Sequence, residues 1–139
     1  MNRKRLTIPN IKGHELQAYL ELPLDQKPQY YAIFAHCFTC TSNLSAVKHI
    51  SRALTAHGFG VLRFDFTGLG RSEGAFAESH FSANVDDLIA VNDYITKHYE
   101  APGLLVGHSL GGAAVIVAAS RLDNIKAVVI IGATSVKQL

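Results

Sequence analysis

A serine between two glycines is the part of this sequence best suited to chemistry. Gly107, Ser109 and Gly111 form Gly-x-Ser-x-Gly, after an apolar run and before a segment of small residues. This pattern is typical of a tight strand-to-helix turn that presents the serine hydroxyl above the carboxyl end of a sheet. We therefore predict that Ser109 is a nucleophile. The alternative, a glycine-rich turn with an incidental serine, is disfavoured by the strand and helix patterns on either side.

A nucleophilic serine needs donors for the negative charge that develops on the carbonyl oxygen of its substrate. The backbone amide of Leu110 follows Ser109 directly and is predicted to be the first donor. The amide of Phe38 is predicted to be the second, because Phe38 lies in the loop after the first central strand. Four further residues are predicted to lie near this site: His36, Cys37, Asp65 and His108. We expect no direct catalytic role for His36, which more simply caps local carbonyl groups.

Length and composition favour one domain over residues 1–139, since 48% of the residues are hydrophobic and can form a sizeable core. The formal net charge is +2 and no basic stripe with interleaved aromatics indicates nucleic-acid binding. No apolar run approaches the ~18 residues of a membrane span, and no apolar segment of a signal peptide follows the charged N-terminus. We expect a cytoplasmic protein that binds neither nucleic acid nor membranes, and a solvated end at residues 3–5.

The apolar pattern predicts two antiparallel strands followed by alternating strands and helices. The predicted strands cover residues 6–8, 16–22, 30–35, 60–64, 104–106 and 127–131, and the predicted helices cover residues 44–57, 82–99 and 113–122. Gly58 is predicted to end the first helix, and Ser82 is predicted to cap the second, with Asp86 and Asp87 in its first turn. The alternation predicts an α/β protein with three α/β/α layers and a mostly parallel sheet of about six strands.

Ligands bind such a sheet beyond the carboxyl ends of its strands. The loops that meet there are predicted at residues 36–43 and 65–78 and at Ser109. The second loop has a Gly-x-Gly but lacks the third glycine of a dinucleotide fingerprint, and the sequence has no Gly-x-x-x-x-Gly-Lys. We therefore predict no cofactor, and expect Asp65 to hold loop amides or Arg71.

Cys37 and Cys40 form a Cys-x-x-Cys pattern beside His36. Such a pattern is found in redox pairs and in metal sites. A second Cys-x-x-Cys or a His-x-x-x-His is absent from the sequence, which favours structural or incidental cysteines. Two cysteines fit a reducing compartment, and we predict no metal site.

Three segments together resemble the α/β-hydrolase superfamily, and more narrowly the N-terminal hydrolase part of the α/β-hydrolase–OsmC fusion proteins. They are residues 34–40, 61–70 and 106–113, and the resemblance covers nearly the whole chain. It implies a nucleophile at Ser109, oxyanion donors at the amides of Leu110 and Phe38, and an open sheet whose first strands pair antiparallel. Cys37 stands where the superfamily usually has a glycine.

In this superfamily the acid and the histidine of the catalytic triad follow the serine on later loops. No histidine follows His108 here, and Asp123 lies roughly 15 Å or more beyond Ser109 at 1.5 Å per helical residue. The resemblance therefore implies an incomplete, C-terminally truncated α/β-hydrolase fold that lacks the last strands and helices. It also implies a nucleophile and an oxyanion hole without a base, so that turnover by these residues alone is weak or absent.

Three functions stay open from the sequence. The first is a serine hydrolase acting on small esters, thioesters or peptides. The second is a non-catalytic fragment that forms a homo-oligomer through the strand at 127–131, which is expected at an uncovered sheet edge. The third is a redox site at Cys37 and Cys40.

Overall fold

Six strands and three helices follow one another in the computed structural model, which describes residues 2–24, 26–35, 45–68, 72, 74, 80–108 and 110–132. The strands are β1 (Asn2–Pro9), β2 (Glu15–Leu22), β3 (Tyr30–Ala35), β4 (Phe59–Phe64), β5 (Leu104–His108) and β6 (Ala127–Ile131). The helices are α1 (Ser45–Ala56), α2 (Phe81–His98) and α3 (Leu110–Arg121).

The strands form one sheet in the order β1-β2-β4-β3-β5-β6. β1 pairs antiparallel with β2, and β2 pairs antiparallel with β4. The pairs β3–β4, β3–β5 and β5–β6 are parallel. The predicted six-stranded, mostly parallel sheet with antiparallel first strands is confirmed.

Helices cover both faces of this sheet. Successive residues of a strand point to opposite faces, so neighbouring residues of β3 pack against different helices. Phe34 of β3 belongs to a cluster with Val47 of α1. Its neighbour Ile33 belongs to the larger cluster on the other face, with Leu88 of α2 and Val115 of α3. The prediction of three layers and of a third strand buried on both faces is therefore confirmed.

The structure corrects the predicted start of α2. Its N-cap is His80, whose imidazole Nδ1 accepts a hydrogen bond from the amide of Ala83 at 3.3 Å. The sequence-based choice of Ser82 was wrong because a histidine side chain supplies the acceptor two residues earlier. Asp86 and Asp87 consequently lie beyond the first turn, which contains no acidic residue.

The basic cluster at residues 3–5 is exposed, as predicted for a solvated end, but its backbone belongs to a strand that the prediction began only at residue 6. It lies within β1, where the guanidinium of Arg3 is 4.8 Å from the ring centroid of Tyr19. Because residues 3–5 are charged and exposed, the sequence did not indicate a strand there, but their backbone pairs with β2. The predicted stop of α1 is confirmed, since Gly58 follows the helix with a φ of +90°.

An ion pair is buried inside the sheet, and the sequence did not reveal it. Arg63 of β4 and Glu21 of β2 are 1% and 0% exposed, and Nε of Arg63 lies 2.7 Å from Oε1 of Glu21. The guanidinium also lies 4.8 Å from the ring centroid of Tyr19. The arginine is thus held by a carboxylate and by an aromatic face.

β6 is an edge strand with exposed apolar side chains. Val128, Val129 and Ile130 are 37%, 44% and 38% exposed. This confirms the expectation of an uncovered apolar edge at residues 127–131. Among the described helices, none is both long enough and apolar enough to cross a membrane.

Candidate active site

The register of the sheet aligns the carboxyl ends of its three central strands. Ala35, the last residue of β3, pairs with Phe64 of β4 and with Gly107 of β5. The next residues in the sequence are His36, Asp65 and His108. The loops that were predicted to meet therefore start from one row of the sheet, at the edge where parallel α/β proteins bind ligands.

The passage from β5 to α3 leaves no room for a side chain at position 107. A Cβ on Gly107 would lie 2.6 Å from Cα of Gly112 and 2.7 Å from Cγ2 of Val115. It would also lie 2.9 Å from the carbonyl oxygen of Gly111. Because two of these three neighbours are backbone atoms, only glycine fits at position 107. The sequence position between the end of β5 and the start of α3 is 109.

Leu110 is the first residue of α3. The amides of a first helical turn lack partners within their helix, and the helix dipole places partial positive charge there. The first turn of α3 contains no acidic side chain that would oppose this field. The amino end of α3, directly after position 109, is therefore suited to stabilise a negatively charged oxygen.

Asp65 begins the loop after β4 and is 4% exposed. Its backbone amide donates to the carbonyl oxygen of Gln17 at 3.0 Å. Its own carbonyl oxygen accepts from the hydroxyl of Ser72, and that hydroxyl oxygen accepts from the amide of Gln17 at 2.9 Å. Two hydrogen-bonded links thus fasten the start of this loop to β2. The expected partner Arg71 lies outside the described residues.

His108 ends β5 and is half-buried. Its backbone pairs with Ile131 of β6, and a Cβ on Gly132 would lie 3.9 Å from its Nε2. The imidazole is therefore close to the carboxyl end of β6. Its Nδ1 is buried and makes no hydrogen bond with the part of the chain that the structure describes.

A polar cluster joins Thr67, in the loop after β4, to the buried Asp87 and the half-buried Asn10. Asp87 accepts from the amide of Thr67 at 2.7 Å and from its hydroxyl at 2.7 and 2.9 Å. Burial raises the pKa of Asp87, and the hydrogen bonds from Thr67 and Asn10 oppose that rise. The sequence interpretation missed this cluster. The available signal was the position of Asp87 between Val85 and Leu88, on the buried side of α2.

Several predicted site residues lie outside the described residues. They are Ser109, Phe38, His36, Cys37 and Cys40. Their predicted roles stay predictions. Within the described ranges, no group of three or more His, Cys, Asp and Glu side chains is arranged to hold a metal ion.

Comparison with known proteins shows the family to which this chain belongs. The family model Hydrolase_4, described as serine aminopeptidase, S33, matches residues 26–138. The match includes β3 to β6 and the Gly-x-Ser-x-Gly turn. Among solved structures, the α/β hydrolase GrgF from Penicillium sp. sh18 has a TM-score of 0.84 at 18% identity over 96% of this chain, a likeness of fold.

More similar relatives are esterases and a thioesterase. Palmitoyl-protein thioesterase ABHD10, mitochondrial, from Rattus norvegicus is 36% identical over 133 residues, which are 96% of this chain and 43% of that protein. The esterase domain of a Rhodothermus marinus protein is 49% identical, with a TM-score of 0.78, over 96% of this chain and 51% of that one. Est1E from Butyrivibrio proteoclasticus, solved with ferulic acid bound, is 31% identical, with a TM-score of 0.80, over 88% of this chain and 50% of that one. The chain therefore spans about half the length of these relatives.

Proposed function

We propose a serine-hydrolase function from the premise that this chain belongs to the Hydrolase_4 family, described as serine aminopeptidase, S33. The proposed nucleophile is Ser109, and the proposed oxyanion donors are the amides of Leu110 and Phe38. The observation that carries the proposal is the approach of Gly107 to Gly112, 2.6 Å from a Cβ position to a backbone carbon. Because β5 ends at His108 and α3 begins at Leu110, one residue lies between strand and helix, and the sequence has a serine there.

The proposed reaction is acyl transfer to the serine, followed by hydrolysis. The Ser109 oxygen attacks the carbonyl carbon of the substrate, its proton passes to a base, and the carbonyl oxygen becomes an oxyanion. The amides of Leu110 and Phe38 stabilise that oxyanion. The bond to the leaving alcohol or thiol then breaks, and the leaving group takes the proton. Water attacks the acyl-serine, releases the acid and restores the serine hydroxyl.

Small esters and thioesters are the proposed substrates. The support is that the named relatives are a palmitoyl-protein thioesterase and an esterase domain. Peptides remain a weaker choice that rests on the aminopeptidase description of the family. The narrower resemblance to OsmC fusion proteins and the cytoplasmic location stay predictions.

The acid and the base of the triad are proposed to come from polypeptide outside these 139 residues. Asp123 follows α3, and the 12 residues of this helix span about 18 Å, so Asp123 is far from the amino end of α3. His108 is the last histidine of the sequence, and its ring lies toward β6. We therefore expect this chain by itself to react slowly at Ser109, through oxyanion stabilisation without a base.

The experiment is covalent labelling with a fluorophosphonate, read by intact mass and peptide mapping. We expect one adduct, located on Ser109, that is lost in Ser109→Ala. Ser120→Ala is the matched control, because Ser120 is an exposed serine of α3 that lies away from the turn. Its hydroxyl donates to the carbonyl oxygen of Val117 at 2.6 Å. Equal labelling of several serines, or no adduct at Ser109, would contradict the proposal.

Self-association is the second candidate function, favoured by the exposed apolar edge at β6. Strand edges with unpaired backbone groups and apolar side chains pair readily with other strands. We propose that two copies of this chain pair along β6. Analytical ultracentrifugation tests this, and a monomer at all concentrations would contradict it.

A further inference from the structure

We infer that the cluster of Asn10, Thr67 and Asp87 positions the loop after β4 against the candidate active site. The inference rests on the proposed function and names positioning residues for it. The cluster joins three segments that are distant in sequence: the turn between β1 and β2, the loop after β4, and α2. None of its members contacts a substrate in this account.

Thr67 is the centre of the cluster and is 2% exposed. Its amide donates to Oδ2 of Asp87 at 2.7 Å, and its hydroxyl donates to the same carboxylate. The amide group of Asn10 donates to the hydroxyl oxygen of Thr67 at 2.9 Å and to Oδ1 of Asp87 at 3.3 Å. The hydroxyl of Thr67 is thus both a donor and an acceptor.

Asn10 extends the cluster to the hairpin between β1 and β2. Its side-chain oxygen accepts from the amide of Lys12 at 3.0 Å and from the amide of His14 at 2.9 Å. Its backbone amide donates to the carbonyl oxygen of His14 at 2.9 Å. An asparagine that closes its own turn in this way is a rigid support for a further contact.

Asp87 extends the cluster to α2 and is 1% exposed. A carboxylate buried to this degree is costly unless hydrogen-bond donors surround it. Here both carboxylate oxygens receive donors from Thr67, and Oδ1 also receives one from Asn10, so loss of a donor would leave a buried carboxylate less well compensated. The hydrogen bonds between Thr67 and Asp87 therefore hold the start of the loop after β4 against α2.

The register of the sheet connects this cluster to the site. The loop starts at Asp65, and the preceding Phe64 pairs with Ala35, the residue before the loop of Phe38. Ser72 holds the same loop to β2 through Asp65 and Gln17. Asp65, Thr67 and Ser72 are thus held to β2 and α2, next to the row of the sheet from which the loop of Phe38 starts. Placement of an oxyanion donor to within about 1 Å governs the rate of acyl transfer.

The test compares Thr67→Val with Thr67→Ser in the complete chain. Valine keeps the shape and removes the hydroxyl, whereas serine keeps the hydroxyl. We expect Thr67→Val to slow labelling of Ser109 by about tenfold or more. We also expect it to speed amide hydrogen exchange in residues 65–68 and 36–44 by about fivefold. Thr67→Ser should restore both quantities to within about twofold of the unchanged chain.

Two further variants keep the test decisive. Val91→Ala removes buried methyl groups from the core face of α2 and should lower stability without changing exchange in residues 36–44. Asn10→Ala removes one donor from a half-buried position and replaces Thr67→Val if that variant does not fold. Amide hydrogen exchange in residues 65–68 and 36–44 should also be faster in Asn10→Ala than in the unchanged chain.

The outcomes separate this inference from the proposed function. If the unchanged chain does not label at Ser109, the proposed function fails, and hydrogen exchange alone decides the role of the cluster. Unchanged exchange in residues 36–44 of a folded Thr67→Val chain would overturn the inference. Failure of Thr67→Ser to restore exchange would overturn it as well, since the hydroxyl would then be irrelevant.

Discussion

β5 and β6 are neighbouring parallel strands of five residues each, and they differ sharply in burial. Val106 of β5 and Val129 of β6 are partners in the register, yet Val106 is 3% exposed and Val129 is 44% exposed. β5 has strands on both sides and helices on both faces. Among the described strands, β6 has β5 as its one neighbour, and the large side chains of its residues Val128, Val129 and Ile130 are exposed.

The difference shows that an apolar sequence does not by itself decide where a strand lies in a sheet. Burial depends on which elements cover the strand. The predicted functional site follows the same division, since Gly107 belongs to the covered strand and Gly111 and Gly112 belong to the helix after it. The exposed strand is the surface that we propose for self-association.

The largest effect is expected from Gly107→Ala. Its Cβ would lie 2.6 Å from Cα of Gly112, and we expect a loss of about 3 kcal/mol of unfolding free energy together with labelling at Ser109. Gly103→Ala is the matched control because nothing lies within 4 Å of its Cβ position. It should stay within about 0.5 kcal/mol. Urea unfolding measures the unfolding free energy of both variants. Equal losses in the two would contradict the claim that close backbone packing requires glycine at position 107.

The next test compares the stability cost of truncating Val106 and Val129, which are partners in the register of β5 and β6. Val106→Ala removes buried methyl groups and should cost about 2 kcal/mol, whereas Val129→Ala should cost about 0.5 kcal/mol or less. Urea unfolding at a protein concentration too low for association isolates the burial effect. Similar costs at the two positions would mean that β6 is covered in solution.

Asp87 gives a pH-dependent effect. Burial raises the pKa of Asp87 above its usual value, so the charged form is disfavoured in the folded chain. Its contribution to stability is present below the ordinary pKa and is lost as pH rises through the folded pKa. Asp87→Asn should remove this dependence. Urea unfolding from acid to neutral pH measures the difference, and parallel curves for the two proteins would refute the prediction.

The smallest effect on stability is expected from Val129→Lys. A lysine on an exposed edge should change the unfolding free energy by about 0.5 kcal/mol or less while it opposes strand pairing. Sedimentation should therefore shift from dimer to monomer. Val106→Lys is not a usable comparison because it would place a charge in the core, so Ile116→Lys, at an exposed position of α3, serves as the control. A dimer that persists in Val129→Lys would remove β6 as the interface.

Much of the fold was predictable because each central strand is a short apolar run between clear turn signals. Local pattern was enough to predict β3 and the helices, and the glycines at 107 and 111 indicated the turn. The cap at His80 was not predictable from preference alone, because serine is the commoner cap and stands two residues later. The strand at residues 3–5 was hidden by its exposed charges.

The polar interior was the part that the sequence could not reveal. Arg63 lies in a strand that was predicted correctly, but its partner Glu21 is 42 positions away and no local pattern links the two. Asp87 looked like a helix-dipole residue, but its contacts with Asn10 and Thr67 depend on how three distant segments meet. Such pairings are set by tertiary packing, which a local pattern does not encode.

The most direct measurement of the central claim is the mass and location of the fluorophosphonate adduct in the unchanged chain, in Gly103→Ala and in Gly107→Ala. We expect one adduct on Ser109 in the first two proteins and none in the third. Labelling spread over exposed serines such as Ser82 and Ser120, or an adduct that survives in Gly107→Ala, would contradict the claim that this turn creates the nucleophile.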